Sequence, residues 1–185
     1  MKQLLVLMAT LLLASCMRPS EMLAETSYQL GDAGLLDHHQ LERSTNIRIE
    51  SDSLIYIAQS FFPPVANQAV PDTVLVDETF HAFVQYFPHM RRSLEPLGLE
   101  QATLLAHAER ADFLLYTRMA LSDERKLRDR AVIQFMLYEL GSGKMIDHGT
   151  FQIRAGLLSA SGKQPQDYLR KPMQEYARKL LGLGR

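Results

Sequence analysis

The residues of this 185-residue chain that could carry chemistry are few, and their spacing limits what they can do. Gly141-Ser142-Gly143-Lys144 ends like a phosphate cradle, in which glycine-rich backbone N–H groups and a lysine hold phosphate at the start of a helix. That pattern needs glycine where Tyr138 stands and Ser or Thr where Met145 stands, and the segment joins two β-type runs. It therefore reads as a hairpin turn. A nucleophile elbow needs Gly-x-Ser-x-Gly, which does not occur, although triads built from distant segments leave no local signature. The histidines are His38, His39, His81, His89, His107 and His148. Asp37-His38-His39 has a metal-like look, yet two adjacent imidazoles chelate one ion poorly, so solvation or adventitious binding is expected. His81 and His89 are eight apart, beyond the i, i+4 pair that shares an ion. No catalytic residue, metal or cofactor is assigned, and the chain is expected not to be an enzyme.

Arginines are the better candidates for contact with another molecule. Asp123-Glu124-Arg125-Lys126 and Arg128-Asp129-Arg130 form a mixed-charge connection between two predicted strands. Such a stretch is either a solvated turn with weak ion pairs or a recognition loop. In the second case Arg125, Arg128 and Arg130 would take a partner's carboxylates or an anionic glycan in bidentate geometry. Arg91-Arg92, near the end of the first predicted helix, has the same two readings, with compensation of the helix dipole as the structural one.

The only cysteine stands at position 16, behind Lys2 and an apolar run from Leu4 to Leu13 broken only by Thr10. The run is too short to cross a bilayer, whose core of about 30 Å needs roughly 20 apolar residues of helix, and suits a removable leader. Leu13-Ala14-Ser15-Cys16 resembles the lipobox of bacterial lipoproteins, where small residues admit the signal peptidase and the cysteine sulfur is acylated. That resemblance implies that residues 1–15 are cleaved and that Cys16 becomes the lipidated first residue. Several acyl chains at about 0.8 kcal/mol per buried methylene make a permanent anchor. By resemblance to lipoprotein sorting in Gram-negative bacteria, Met17 rather than Asp after the cysteine implies transfer to the outer membrane; the residue leaves the topology open, and the periplasmic face is the expected one.

One cysteine makes no intrachain disulfide and no cysteine-rich zinc site, so the core alone must hold the fold. Twenty Lys and Arg against 21 Asp and Glu give −1, and loss of Lys2 with the leader gives −2. No positive field exists to hold nucleic acid. A hydrophobic fraction of 46% and a charged fraction of 22% suit one globular domain.

The elements that must position these residues are read from periodicity. Residues 16–51 carry Pro19, Gly31 and Gly34 and no sustained period, and read as a lipidated tether with a helical turn around Leu35 to Leu41. About 30 extended residues at roughly 3.3 Å each reach on the order of 100 Å. The domain is expected over 52–185. Ser53 to Phe61 reads as a strand stopped by Pro63-Pro64; Val76, Phe80, Phe83, Val84 and Phe87 form a helical stripe after Asp72 or Thr73. Met90 to Leu97 is a short strand weakened by Pro96, Leu99 to Arg110 a helix, and Asp112 to Leu121 a strand. Arg130 to Leu140 and Met145 to Arg154 flank the Gly-Ser-Gly turn as a hairpin. Tyr168, Pro172, Met173, Tyr176, Ala177, Leu180 and Leu181 give a last amphipathic helix with basic residues in its final turns. The order β-α-β-α-β-β-β-α predicts an α/β (α+β) fold with helices packed on a mixed sheet.

That order behind a lipobox resembles small periplasmic lipoproteins related to the TolB N-terminal domain and to the secretion lipoproteins CsgG and PelC. It resembles more closely an uncharacterised family of small proteobacterial, pseudomonad-type lipoproteins. The resemblance is carried by Ala111 to Tyr116, the Ser122-Asp123-Glu124-Arg125 turn, Gly141 to Lys144, and Pro165 to Tyr176. It implies a TolB N-terminal-like fold and an envelope address, and no activity. The expectation is a lipid-anchored, non-catalytic envelope interaction or assembly module, bound to the membrane through its lipid and to an envelope protein or its own copies. The alternatives are a small-ligand or glycan-binding lipoprotein and an envelope hydrolase.

Overall fold

The computed structural model describes residues 38–61, 73–120, 130–154 and 169–183. In chain order the elements are β1 (His38–Arg43), β2 (Ile55–Gln59), α1 (Val74–Phe83), β3 (Met90–Arg92), α2 (Leu99–Ala108), β4 (Phe113–Ala120), β5 (Arg130–Glu139), β6 (Lys144–Arg154) and α3 (Arg170–Leu180). The strands form one six-stranded sheet in the order β1-β6-β5-β4-β2-β3. β2 runs parallel to β3 and β4, while β4-β5-β6-β1 is antiparallel throughout. The mixed α+β architecture expected from the sequence is the one found, with one strand more at the front.

Alternation explains the layers. Ile133, Phe135 and Leu137 of β5 share a face with Ile55, Ile57, Leu115 and Phe151, and α1 and α3 cover that face. The opposite face gives Tyr56, Ala58, Leu114 and Tyr116 to α2, with Met136 and Tyr138 at the margin. β2 lies between two neighbours and under helices on both sides, so all five of its residues are buried and it shows no alternation. α2 reaches the sheet through Ala102 and Ala106 alone, and two methyl groups let the helix lie close over Tyr56 and Tyr116. α3 turns Met173, Tyr176, Ala177 and Leu180 inward at helical spacing. The centre of the core is aromatic: the Phe135 ring lies 4.1 Å from Tyr176 and 5.0 Å from Phe151, centroid to centroid. Arg170 forks onto Glu78 at 3.0 and 3.3 Å and ties α3 to α1.

Three expectations change. Residues 38–41, read as a helical turn in the tether, begin an edge strand paired residue for residue with β6, from His38 opposite Arg154 to Arg43 opposite Gly149. His-His-Gln-Leu-Glu-Arg has no strand signal of its own; the open edge of β6 supplies the hydrogen-bond partners. The strand expected over Met90 to Leu97 is β3, three residues long, and it ends at Arg92, before Pro96 could disturb its pairing. The first helix closes at Phe83, with the chain turning through Val84, Gln85 and Tyr86 before Pro88.

The β5–β6 hairpin is as expected, with Gly143 at φ +67°, a conformation that costs glycine least. Its register shifts between Leu137 and Tyr138: Tyr138 opposes Met145, whereas Leu137 opposes Asp147. The extra residue is a bulge, and it separates Met145 from Asp147. Met145 joins the α2 side of the sheet, and Asp147 goes under α3.

Candidate functional site

That bulge delivers a carboxylate into the core. Asp147 is 1% exposed. Its Oδ2 accepts from Arg43 Nε at 2.8 Å and lies 2.7 Å from Arg43 Nη2, and the Tyr176 hydroxyl donates to the same oxygen at 3.1 Å. Oδ1 accepts from the Ser44 hydroxyl, the Thr45 hydroxyl and the Thr45 N–H at 3.0–3.2 Å. The Arg43 guanidinium stands 5.1 Å over the Tyr176 ring and reaches the Ile47 carbonyl at 3.1 Å. A buried charge is tolerable only when paired and hydrogen-bonded in this way. The cluster therefore fixes the 43–47 segment against the end of β6 and the inner face of α3. Sequence reading missed it, although an aspartate between Ile146 and Phe151 in a strand was a signal.

Tyr176 is held above its ordinary pKa first by burial, then by the Asp147 charge, against a lowering by Arg43. Burial also raises Tyr56 and Tyr116, with Glu109 adding to the first. A folded-state value above that of the unfolded chain means that stability is complete below about pH 10 and falls as pH rises from there through the folded value. Unfolding in urea between about pH 8 and about pH 11 should show this alkaline loss, and Tyr176→Phe should flatten its slope. An unchanged slope would assign the loss to other groups.

Of the predicted arginines, the two described with their side chains part company. Arg91 and Arg92 sit in edge strand β3 rather than at a helix end, and alternation sends them to opposite faces. Arg92 pairs with Asp77 of α1 and lies 5.2 Å from the centre of the Phe80 ring, so it belongs to the fold. Dipole compensation is not its role. Arg91 is 62% exposed, with Glu109 at 3.7 Å, a loose pair that leaves it accessible. Arg130 is the first residue of β5, its Cα opposite Arg154. Arg125, Arg128 and Cys16 lie outside the described residues.

Among the described residues, two concave surfaces stand out. A cleft of about 1040 Å³ opens at the hairpin end of the sheet, with Arg48, Glu50, Asp52, His107, Asp112 and Glu139 among its walls. Two of these are already engaged: Asp112 accepts the Leu54 N–H at 2.8 Å, and Glu139 accepts the Ser142 hydroxyl at 2.5 Å. Among the described residues no group of three or more His, Cys, Asp or Glu could hold a metal ion. The second surface is a groove of about 440 Å³ on the α2 side, where, among the described residues, no helix covers β5, β6 and β1.

A family model described as a domain of unknown function (DUF4823) matches residues 47–180. The chain belongs to that family. The DUF4823 span takes in β2 to α3 and starts four residues after β1 ends, so Asp147 and Tyr176 lie inside it and Arg43 outside. No curated protein matches the chain. Among solved structures, the PelC dodecamer from Paraburkholderia phytofirmans aligns with TM-score 0.51 at 10% identity, over 80% of this chain and 99% of that one. A substituted form of that dodecamer gives 0.50 at 11% identity, over 74% and 96%. TolB from Acinetobacter baumannii aligns at 0.32 and 8% identity, over 77% of this chain and 29% of its own. At these identities the likeness to PelC is one of fold.

Proposed function

We propose that this DUF4823 chain is a lipid-anchored module of the bacterial cell envelope, held at the periplasmic face of the outer membrane through Cys16, and that it acts by association rather than catalysis. The observation that carries the reading is the fold likeness to a subunit of the PelC dodecamer over 99% of that subunit. It is supported by the lipobox-like Leu13-Ala14-Ser15-Cys16 and by a groove on the α2 side of the sheet that no described helix covers. Among the described residues no helix is long and apolar enough to cross a membrane; attachment in this reading is through the acyl chains. The partner is a second copy of the chain or another envelope protein. Exposed Arg91, with Arg125, Arg128 and Arg130, supplies cations for the latter.

Cys16→Ser should remove the acyl chains, shown by the mass of the protein, and should move it from the membrane to the soluble fraction. An acylated Cys16→Ser product would refute the anchor. The cleft at the hairpin end favours a second reading, binding of a small ligand or glycan. Its mixed charge and volume of about 1040 Å³ suit a polar molecule.

A further inference from the structure

Among the described residues, α2 alone covers its side of the sheet, and only in part. Ala102 and Ala106 fix α2 over β2 and β4, which leaves Glu42, Arg118, Gln134, Met145, His148 and Thr150 around an open groove with Met136 in it. Met145 is 47% exposed there, an apolar side chain that the bulge at Ile146 has turned away from the core. The same chain carries the converse feature. On α2, Gln101, Leu104, Leu105 and Ala108 recur at i, i+3, i+4 and i+7, a stripe turned away from Ala102 and Ala106. Leu104 is 63% exposed and Leu105 44%, and Leu94, just after β3, is 86% exposed. Among the described residues, a bare sheet face and an apolar helix back are both left uncovered in one molecule.

Charge matches the two surfaces. Glu100 lies one helical turn before Leu104, and Glu95 lies close after β3; among the described residues neither has an ion-pair partner. On the bare face Arg118 bonds the Gln134 amide at 2.5 Å and, among the described residues, has no carboxylate partner. A chain cannot lay its own α2 in its groove, because that helix is already seated on β2 and β4.

We infer that a second copy of this chain covers the bare half of the sheet, laying the Leu104–Leu105 back of its α2 against Met136 and Met145 and setting its Glu100 beside Arg118. The patches differ, so the contact is heterologous: each copy uses its helix on one neighbour and its groove on the other, and the chain of contacts closes into a ring if the rotation permits. The inference rests on the self-association reading above and names the surfaces that reading needs.

Sedimentation equilibrium of the full chain in density-matched detergent tests both, over a concentration series. Leu104→Glu and Met145→Glu should each weaken assembly about ten-fold or more while the thermal melt stays put, since both side chains are exposed. Glu100→Arg and Arg118→Glu should each weaken it, and the two together should restore it. An assembled wild type with all these variants equally assembled overturns the contact and leaves self-association standing. A wild type that stays monomeric across the series overturns the self-association reading and the contact with it.

Discussion

Asp147→Ala should cost about 3–5 kcal/mol of folding stability, the usual result of removing one partner from a buried pair. The substitution leaves the Arg43 guanidinium, whose side chain is 8% exposed, inside the protein with no carboxylate. It also strips an acceptor from the Tyr176 hydroxyl, the Ser44 and Thr45 hydroxyls and the Thr45 N–H. Ser44 and Thr45 are exposed and can turn to water, whereas the buried Tyr176 hydroxyl is left without its acceptor, a penalty that adds to the lost attraction. For a domain of this size the melting temperature should fall roughly 10–20 °C. The apolar pair Arg43→Met with Asp147→Leu should recover most of the loss, because it removes both charges together. Chemical denaturation of the three proteins measures this. A change below about 1 kcal/mol in Asp147→Ala would mean that water reaches the pair.

Gly149→Ala should detach β1. A Cβ at position 149 would collide with the Glu42 carbonyl oxygen and with the Phe135 ring at 2.5 and 2.9 Å. The ring can swing only within a packed aromatic cluster, and the carbonyl belongs to the paired strand, so the least costly relief is movement of β1 away from β6. We expect a loss of about 3 kcal/mol, the upper range for an overpacked site. Hydrogen exchange should locate it: amides of β1 lose protection while those of β2 and β4 keep theirs. Retained protection in β1 at wild-type stability would show that the strand pair can spread to admit a methyl group. Both substitutions act at the C-terminal end of β1, where Asp147 holds the Arg43 side chain and Gly149 is the register partner of Arg43, so their effects should not add.

Most of the fold was legible before any coordinates. Strand alternation in 130–140, the Gly-Ser-Gly turn and the 173–180 stripe are local patterns, and each specifies an element whose burial the sheet then completes. The order of elements was enough to predict helices on a mixed sheet, and the charge balance enough to disfavour nucleic acid. The single cysteine behind an apolar run is where the proposed anchor would sit. These features are readable because periodicity, turn chemistry and composition act over a few residues.

The tertiary structure decided the rest. β1 is a strand because β6 offers an unpaired edge, and a polar hexapeptide contains no record of that edge. Arg91 and Arg92 look equivalent in sequence, and only the β3 pleat separates an accessible cation from one spent on Asp77 and Phe80. Met145 and Asp147 have the same parity along the chain and should share a face. One extra residue in the ladder puts the first in an open groove and the second under α3 with Arg43 and Tyr176. A bulge depends on the fit of two strands across a sheet, a non-local energy that no window of sequence contains.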